Sequence, residues 1–152
     1  DIKKKKINFR TPVSKPIENT YFVSTHPDQD SLQFSSREAL YDLNDYTLYI
    51  NQIPHIDVAD SRIFPDSGKA IVRADAVMDP LKNAKIAMDT ANKWHNFYKA
   101  NVGIMGRYNF GADAYYDYTD KSGKKNTAYF HEKSAVDYAH RIFSQHNRAL
   151  II

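Results

Sequence analysis

The sequence predicts a two-layer α+β domain, with antiparallel β-hairpins on one side and about three helices on the other. Three observations carry that expectation. Two stretches place aromatic and β-branched residues on either side of turn-forming segments. Three others space apolar residues three and four apart, as an amphipathic helix does. The balance of 42% hydrophobic and 26% charged residues over 152 positions is that of an ordinary globular chain with one core.

Residues 1–19 read as an extended basic arm. Lys3, Lys4, Lys5 and Lys6 are followed by Pro12 and Pro16, and no hydrophobic period is sustained. Residues 20–152 then read as a single α+β domain. Thr20, Tyr21, Phe22 and Val23 form a strand, His26-Pro27-Asp28-Gln29-Asp30 a turn, and Ser31-Leu32-Gln33-Phe34 the return strand. Ser35 supplies an N-cap with Glu38 three residues on, and Ala39, Leu40, Leu43 and Tyr46 continue at helical spacing over 36–48. Short strands follow near 46–50 and 70–77. Asp79 and Pro80 then suit the cap and first position of a central helix over 80–102. Its stripe is Leu81, Ala84, Met88, Ala91, Trp94, Tyr98 and Val102, with Gly103 as the stop, and it is expected to be the most buried element. A second hairpin unit runs through Tyr116 and Tyr118, a turn over 120–125, and the return strand 127–130. A third helix is expected over 133–147, carrying Ala135, Val136, Ala139 and Ile142.

The two hairpin–helix units, near 20–47 and 115–147, superpose at one constant offset without gaps. Phe22 then matches Tyr118, Phe34 matches Phe130 and Leu43 matches Ala139. Either an internal duplication or the general periodicity of such units accounts for the match.

The formal net charge is +3, and the four arm lysines supply part of it. A terminal lysine run is a solvated tail or an electrostatic handle. With no cysteine, disulfides and thiolate metal sites are excluded. No apolar stretch reaches the roughly 18–20 residues a membrane-spanning helix needs, so the sequence predicts a soluble domain. A chain that opens on Asp1 and closes on Ala149-Leu150-Ile151-Ile152 reads as processed or cut at its ends. The compartment and the oligomeric state are not legible.

No catalytic signature is present. There is no Gly-x-Ser-x-Gly elbow, and five scattered glycines do not make a phosphate loop. His131 and His140 lie nine residues apart and His140 and His146 six, neither of which puts two imidazoles on one helix face. No catalytic residue, metal ligand or cofactor is assigned. The carboxylate pairs Asp28/Asp30, Asp42/Asp45 and Asp57/Asp60 read as turn formers.

Composition is more telling. Eleven tyrosines and eight phenylalanines stand against five glycines, and tyrosine joins an apolar body to a polar tip, which suits interfaces. The candidate binding residues are Tyr116, Tyr118, Tyr129 and Phe130, with Lys121, Lys124 and Lys125 in the adjoining turn and the arm lysines Lys3 to Lys6 as electrostatic support. The expected function is a non-catalytic interaction or structural module that docks onto a protein partner or a larger assembly. The alternative is a nucleic-acid-binding module in which these rings stack bases and the turn lysines meet phosphates.

The run Trp94-His95-Asn96-Phe97-Tyr98-Lys99, followed later by Asn126-Thr127-Ala128-Tyr129-Phe130, resembles the N-terminal half of thermolysin-like zinc endopeptidases. That resemblance implies a helix at the first run and an edge strand at the second, on which Ala128, Tyr129 and Phe130 would hold extended peptide. The chain departs from the family in having helical spacing where a glycine-rich turn belongs. It also lacks the zinc-binding helix, so a fragment of such an enzyme is the third reading.

Overall fold

Alternation, and not helical spacing, decides the architecture. The chain is described as a computed structural model covering residues 4–89 and 95–132. Its strands are β1 (Lys6–Arg10), β2 (Tyr21–Val23), β3 (Gln33–Ser35), β4 (Glu38–Asp42), β5 (Thr47–Asn51), β6 (Ile56–Val58), β7 (Ser61–Phe64), β8 (Ala70–Val72), β9 (Leu81–Met88), β10 (His95–Gly106), β11 (Asn109–Thr119) and β12 (Lys125–Glu132). They form a six-stranded sheet in the order β12-β11-β10-β9-β7-β6, a four-stranded sheet in the order β1-β4-β5-β8, and the β2-β3 hairpin. Every strand pairing among the described residues is antiparallel. No helix among them reaches seven residues, and none is long and apolar enough to cross a membrane.

The α+β expectation is therefore overturned: the described chain is a β protein. Residues 36–48 are not a helix but the β4-β5 hairpin. Its turn is written in side chains that favour local bonds over helical ones, since Asp42 Oδ1 accepts from Asn44 N–H and Asp45 Oδ1 from Thr47 N–H. Ser35, the expected helix cap, instead closes β3, and the fully buried Ser36 after it donates its hydroxyl to Asn51 C=O at 2.7 Å while receiving Glu38 N–H.

The central helix is likewise replaced, by β9 and β10. The helical step from Leu81 to Ala84 comes from a β-bulge, and a second bulge interrupts β10. Asn83 and Lys99 hold left-handed φ of 54° and 49°, and each inserts an extra residue that shifts the inward face. Inward residues thus run Leu81, then Ala84, Ile86 and Met88 on β9, and Phe97, then Ala100, Val102 and Ile104 on β10. A three-residue step at each bulge, followed by even steps, imitates a helix stripe. Asp79 does not cap a helix, because its carboxylate holds the Arg73 guanidinium at 2.7 Å. Trp94 and the expected helix over 133–147 lie outside the described residues.

The two hairpins of the proposed units differ in register, and the helix expected in the second unit lies outside the described residues. In the first hairpin Phe22 pairs with Phe34, but the matching residues of the second do not pair: Tyr118 faces Asn126, and Phe130 faces Ala114. Of the arm, Lys6–Arg10 adds as an edge strand beside β4, with Lys6 on Asp42 and Arg10 on Glu38.

The core is a single cluster drawn from all three sheets. Its spine is a row of cross-strand partners that traverses the six-stranded sheet: Ile56, Ile63, Ile86, Phe97, Tyr116 and Ala128. The β2-β3 hairpin is anchored through its loop, where Gln29 C=O receives Arg107 N–H at 3.0 Å. Gly106 makes that approach possible, because a Cβ there would stand 3.1 Å from both Asp28 O and Gln29 Cα.

Candidate functional site

Successive side chains of a strand point to opposite faces, so the residues of β10, β11 and β12 that do not enter the core form an outer face. On it Tyr98, Tyr115 and Tyr129 are direct cross-strand neighbours. Their rings make a ladder, with centroids 6.0 Å apart between Tyr98 and Tyr115 and 5.1 Å between Tyr115 and Tyr129. Tyr115 and Tyr129 are 39% and 59% exposed, enough to present ring faces to a partner.

Polar rows flank the ladder on both sides. On one side Asp117 Oδ1 accepts from Tyr98 O–H at 2.8 Å and from Thr127 Oγ1–H at 2.7 Å. Those two donors hold the Asp117 carboxyl below its ordinary value, the Thr127 bond foremost. The bond to Asp117 raises the Tyr98 phenol, whose neutral form is the donor. On the other side Asp113 meets the ring Nδ1 of His131, its cross-strand partner, with Asn101 next along the row. The result is an aromatic platform bounded by carboxylates. It can pack against apolar or planar surface and accept hydrogen bonds at its borders.

The sequence-predicted residues are distributed over both faces. Tyr116 and Phe130 point inward and pack on Phe97, at ring separations of 5.0 and 6.0 Å. Burial raises the Tyr116 phenol, and its O–H lies 3.1 Å from Nδ1 of the buried His95. Tyr118 follows Tyr116 on the inward side but beyond the core, where it is exposed. Tyr129 alone of the four joins the ladder. Lys121, Lys124 and Lys125 are exposed at the β11-β12 turn. That turn is organised by Asp120, which accepts from Ser122 and Lys124 N–H, and by Gly123 at φ 82°. In the arm, Lys4 and Lys5 are exposed, Lys6 is paired with Asp42, and Lys3 lies outside the described residues.

Tyr98, Tyr115 and Asp117 were missed. Tyr98 was assigned to a helix, and Tyr115 was passed over although it has the same parity as Asp117. Applying period two to Tyr115-Tyr116-Asp117-Tyr118 separates the two faces from sequence alone.

Among the described residues no group of three or more His, Asp or Glu is placed to hold a metal ion. The first run of the peptidase resemblance is strand from His95 onward and not a helix. Compared with family models, curated proteins and solved structures, the chain has no match.

Proposed function

We propose that the chain is a non-catalytic interaction module that docks onto a protein partner or larger assembly through the outer face of β10, β11 and β12. The observation that carries this reading is the solvent-facing ladder Tyr98, Tyr115 and Tyr129. Interfaces are enriched in tyrosine because its ring buries a large area while losing few rotamers. The reading does not depend on a duplicated unit.

Charge favours protein over nucleic acid at this face. Asp117 and Asp113 stand on either side of the rings, and an ionised carboxylate beside each stacking position repels phosphate. The turn lysines project from one end of the hairpin, away from the Asp113 border.

The test compares affinity purification by the wild type with that by a Tyr115→Ser, Tyr129→Ser double variant. Both substitutions are on the solvent face and leave the core intact. The reading requires a protein that co-purifies with the wild type and is lost from the variant at unchanged melting temperature. Equal recovery by both proteins, or tight binding of single-stranded oligonucleotide that weakens steeply with salt, would overturn it.

A further inference from the structure

Beyond the Asp113 border of the tyrosine face, the loop joining β2 to β3 and the loop joining β8 to β9 stand between two concave spaces. The inner one, about 480 Å³, is walled by Phe22, Leu32, Phe34, Leu48, Ile50 and Val72. The outer one, about 610 Å³, carries Asp28, Asp75 and Asp113 around an apolar floor that includes Ile104 and Met105. His26, Gln29, Asp75 and Met78 line both, so the two spaces adjoin there.

Gln29 is the decisive residue at that junction. It is only 8% exposed. Its Nε2 donates to Ala76 C=O at 2.6 Å, and because a carbonyl can only accept, this bond fixes which end of the amide is which. The other end, Oε1, is then a buried acceptor with no hydrogen-bond partner among the described residues. A buried acceptor without a donor is costly, and such groups mark places where something else supplies one. The Gln29 backbone is held in place as well, its C=O receiving both Leu32 N–H and Arg107 N–H.

The charge around this acceptor asks for a cation. The linings of the two spaces contain three aspartates and no lysine or arginine, in a chain with 21 such cations. Asp113 is matched by His131. Asp28 and Asp75 remain beside Gln29 as acceptors for a donor that brings positive charge.

We propose that the two spaces form one binding site for an amphipathic primary amine. Its ammonium group sits between Gln29 Oε1 and the Asp28 and Asp75 carboxylates, and its apolar tail lies in the cavity walled by Phe22, Phe34, Leu48 and Val72. An ammonium group has three donors and no acceptor, which is the complement of this set. The inner volume falls in the range of small-ligand pockets, roughly 300–1,000 Å³.

Calorimetric titration with octylamine, octanol and octanoate near neutral pH tests the proposal, because the three probes share a tail and differ in the head. Octylamine should bind saturably at one equivalent, about tenfold tighter than octanol, with octanoate weaker still. Asp75→Asn is a mild variant, because Asp75 has a left-handed φ of 57° that asparagine also tolerates. It should weaken octylamine about fivefold and leave octanol unchanged. Val72→Phe, checked for folding by circular dichroism, should weaken both probes by filling the tail space. Tyr115→Ser should change neither, which separates this site from the docking face. Absence of saturable binding, equal affinities for the three probes, or octylamine binding indifferent to both Asp75→Asn and Val72→Phe would overturn it.

Discussion

Phe97 and Tyr98 are sequence neighbours with opposite surroundings, and the β reading stands or falls on that difference. Phe97 is 1% exposed, at the middle of the row from Ile56 to Ala128, and its ring touches those of Tyr116 and Phe130. Truncating it to alanine removes the buried ring and leaves a cavity that flanking strands cannot close, which costs about 3–5 kcal/mol. Against the roughly 5–15 kcal/mol by which domains are stable, that is about a fifth or more of the total. For a chain of this length each kcal/mol moves the midpoint by about 2–4 °C, so Phe97→Ala should melt about 6–20 °C lower. Tyr98→Ala removes one stacked ring and one exposed hydrogen bond on the outer face, a loss of about 1 kcal/mol or less. Thermal melts followed by circular dichroism, and urea unfolding for the free energies, read both values. In a helix whose stripe includes Tyr98, the two substitutions would cost alike. Equal losses, or a Phe97→Ala melt near that of the wild type, would refute the strand alternation.

Three further substitutions probe separate parts of the argument. Ser36→Ala leaves the carbonyl of Asn51 without its buried donor and should lower stability by about 1–3 kcal/mol in urea unfolding. Gly106→Ala places a methyl 3.1 Å from the backbone of Asp28 and Gln29. Its expected cost is about 1–3 kcal/mol, with faster hydrogen exchange at Arg107 N–H, whose acceptor is Gln29 C=O. Thr127→Val removes the strongest cause of the lowered Asp117 carboxyl, so its titration, followed by NMR, should move up towards the ordinary carboxylate value. The sign follows from the direction: a carboxyl depressed by folding adds stability above its unfolded value, near pH 4, and that contribution fades as pH falls through the lower folded value. Thr127→Val should therefore weaken the acid sensitivity arising at this site.

Both hairpins were legible without coordinates, because each joins alternating strands through turn chemistry that acts locally. The first runs through His26-Pro27-Asp28, the second through Asp120 to Gly123. Tyr129 and the turn lysines were legible as exposed residues for the same reason. The elements between the hairpins were not. Steps of four fit both a helix and a strand, and the bulge at Asn83 supplied the step of three from Leu81 to Ala84. The register of the second hairpin, which sets Tyr118 against Asn126, was equally out of reach, and with it the comparison between the two units.

By itself the sequence determined where two of the hairpins turn, that the chain has apolar residues enough for one core, and that it is rich in tyrosine. Those properties depend on a residue and its near neighbours. Only the tertiary structure decided that Tyr98, Tyr115 and Tyr129 share one face and that Gln29 is buried between two loops with an acceptor to spare. Tyr98 and Tyr129 are 31 residues apart in the numbering, and no local preference connects them. Strand pairing does, because hydrogen bonds between backbones set the register, and the register selects which distant side chains become neighbours.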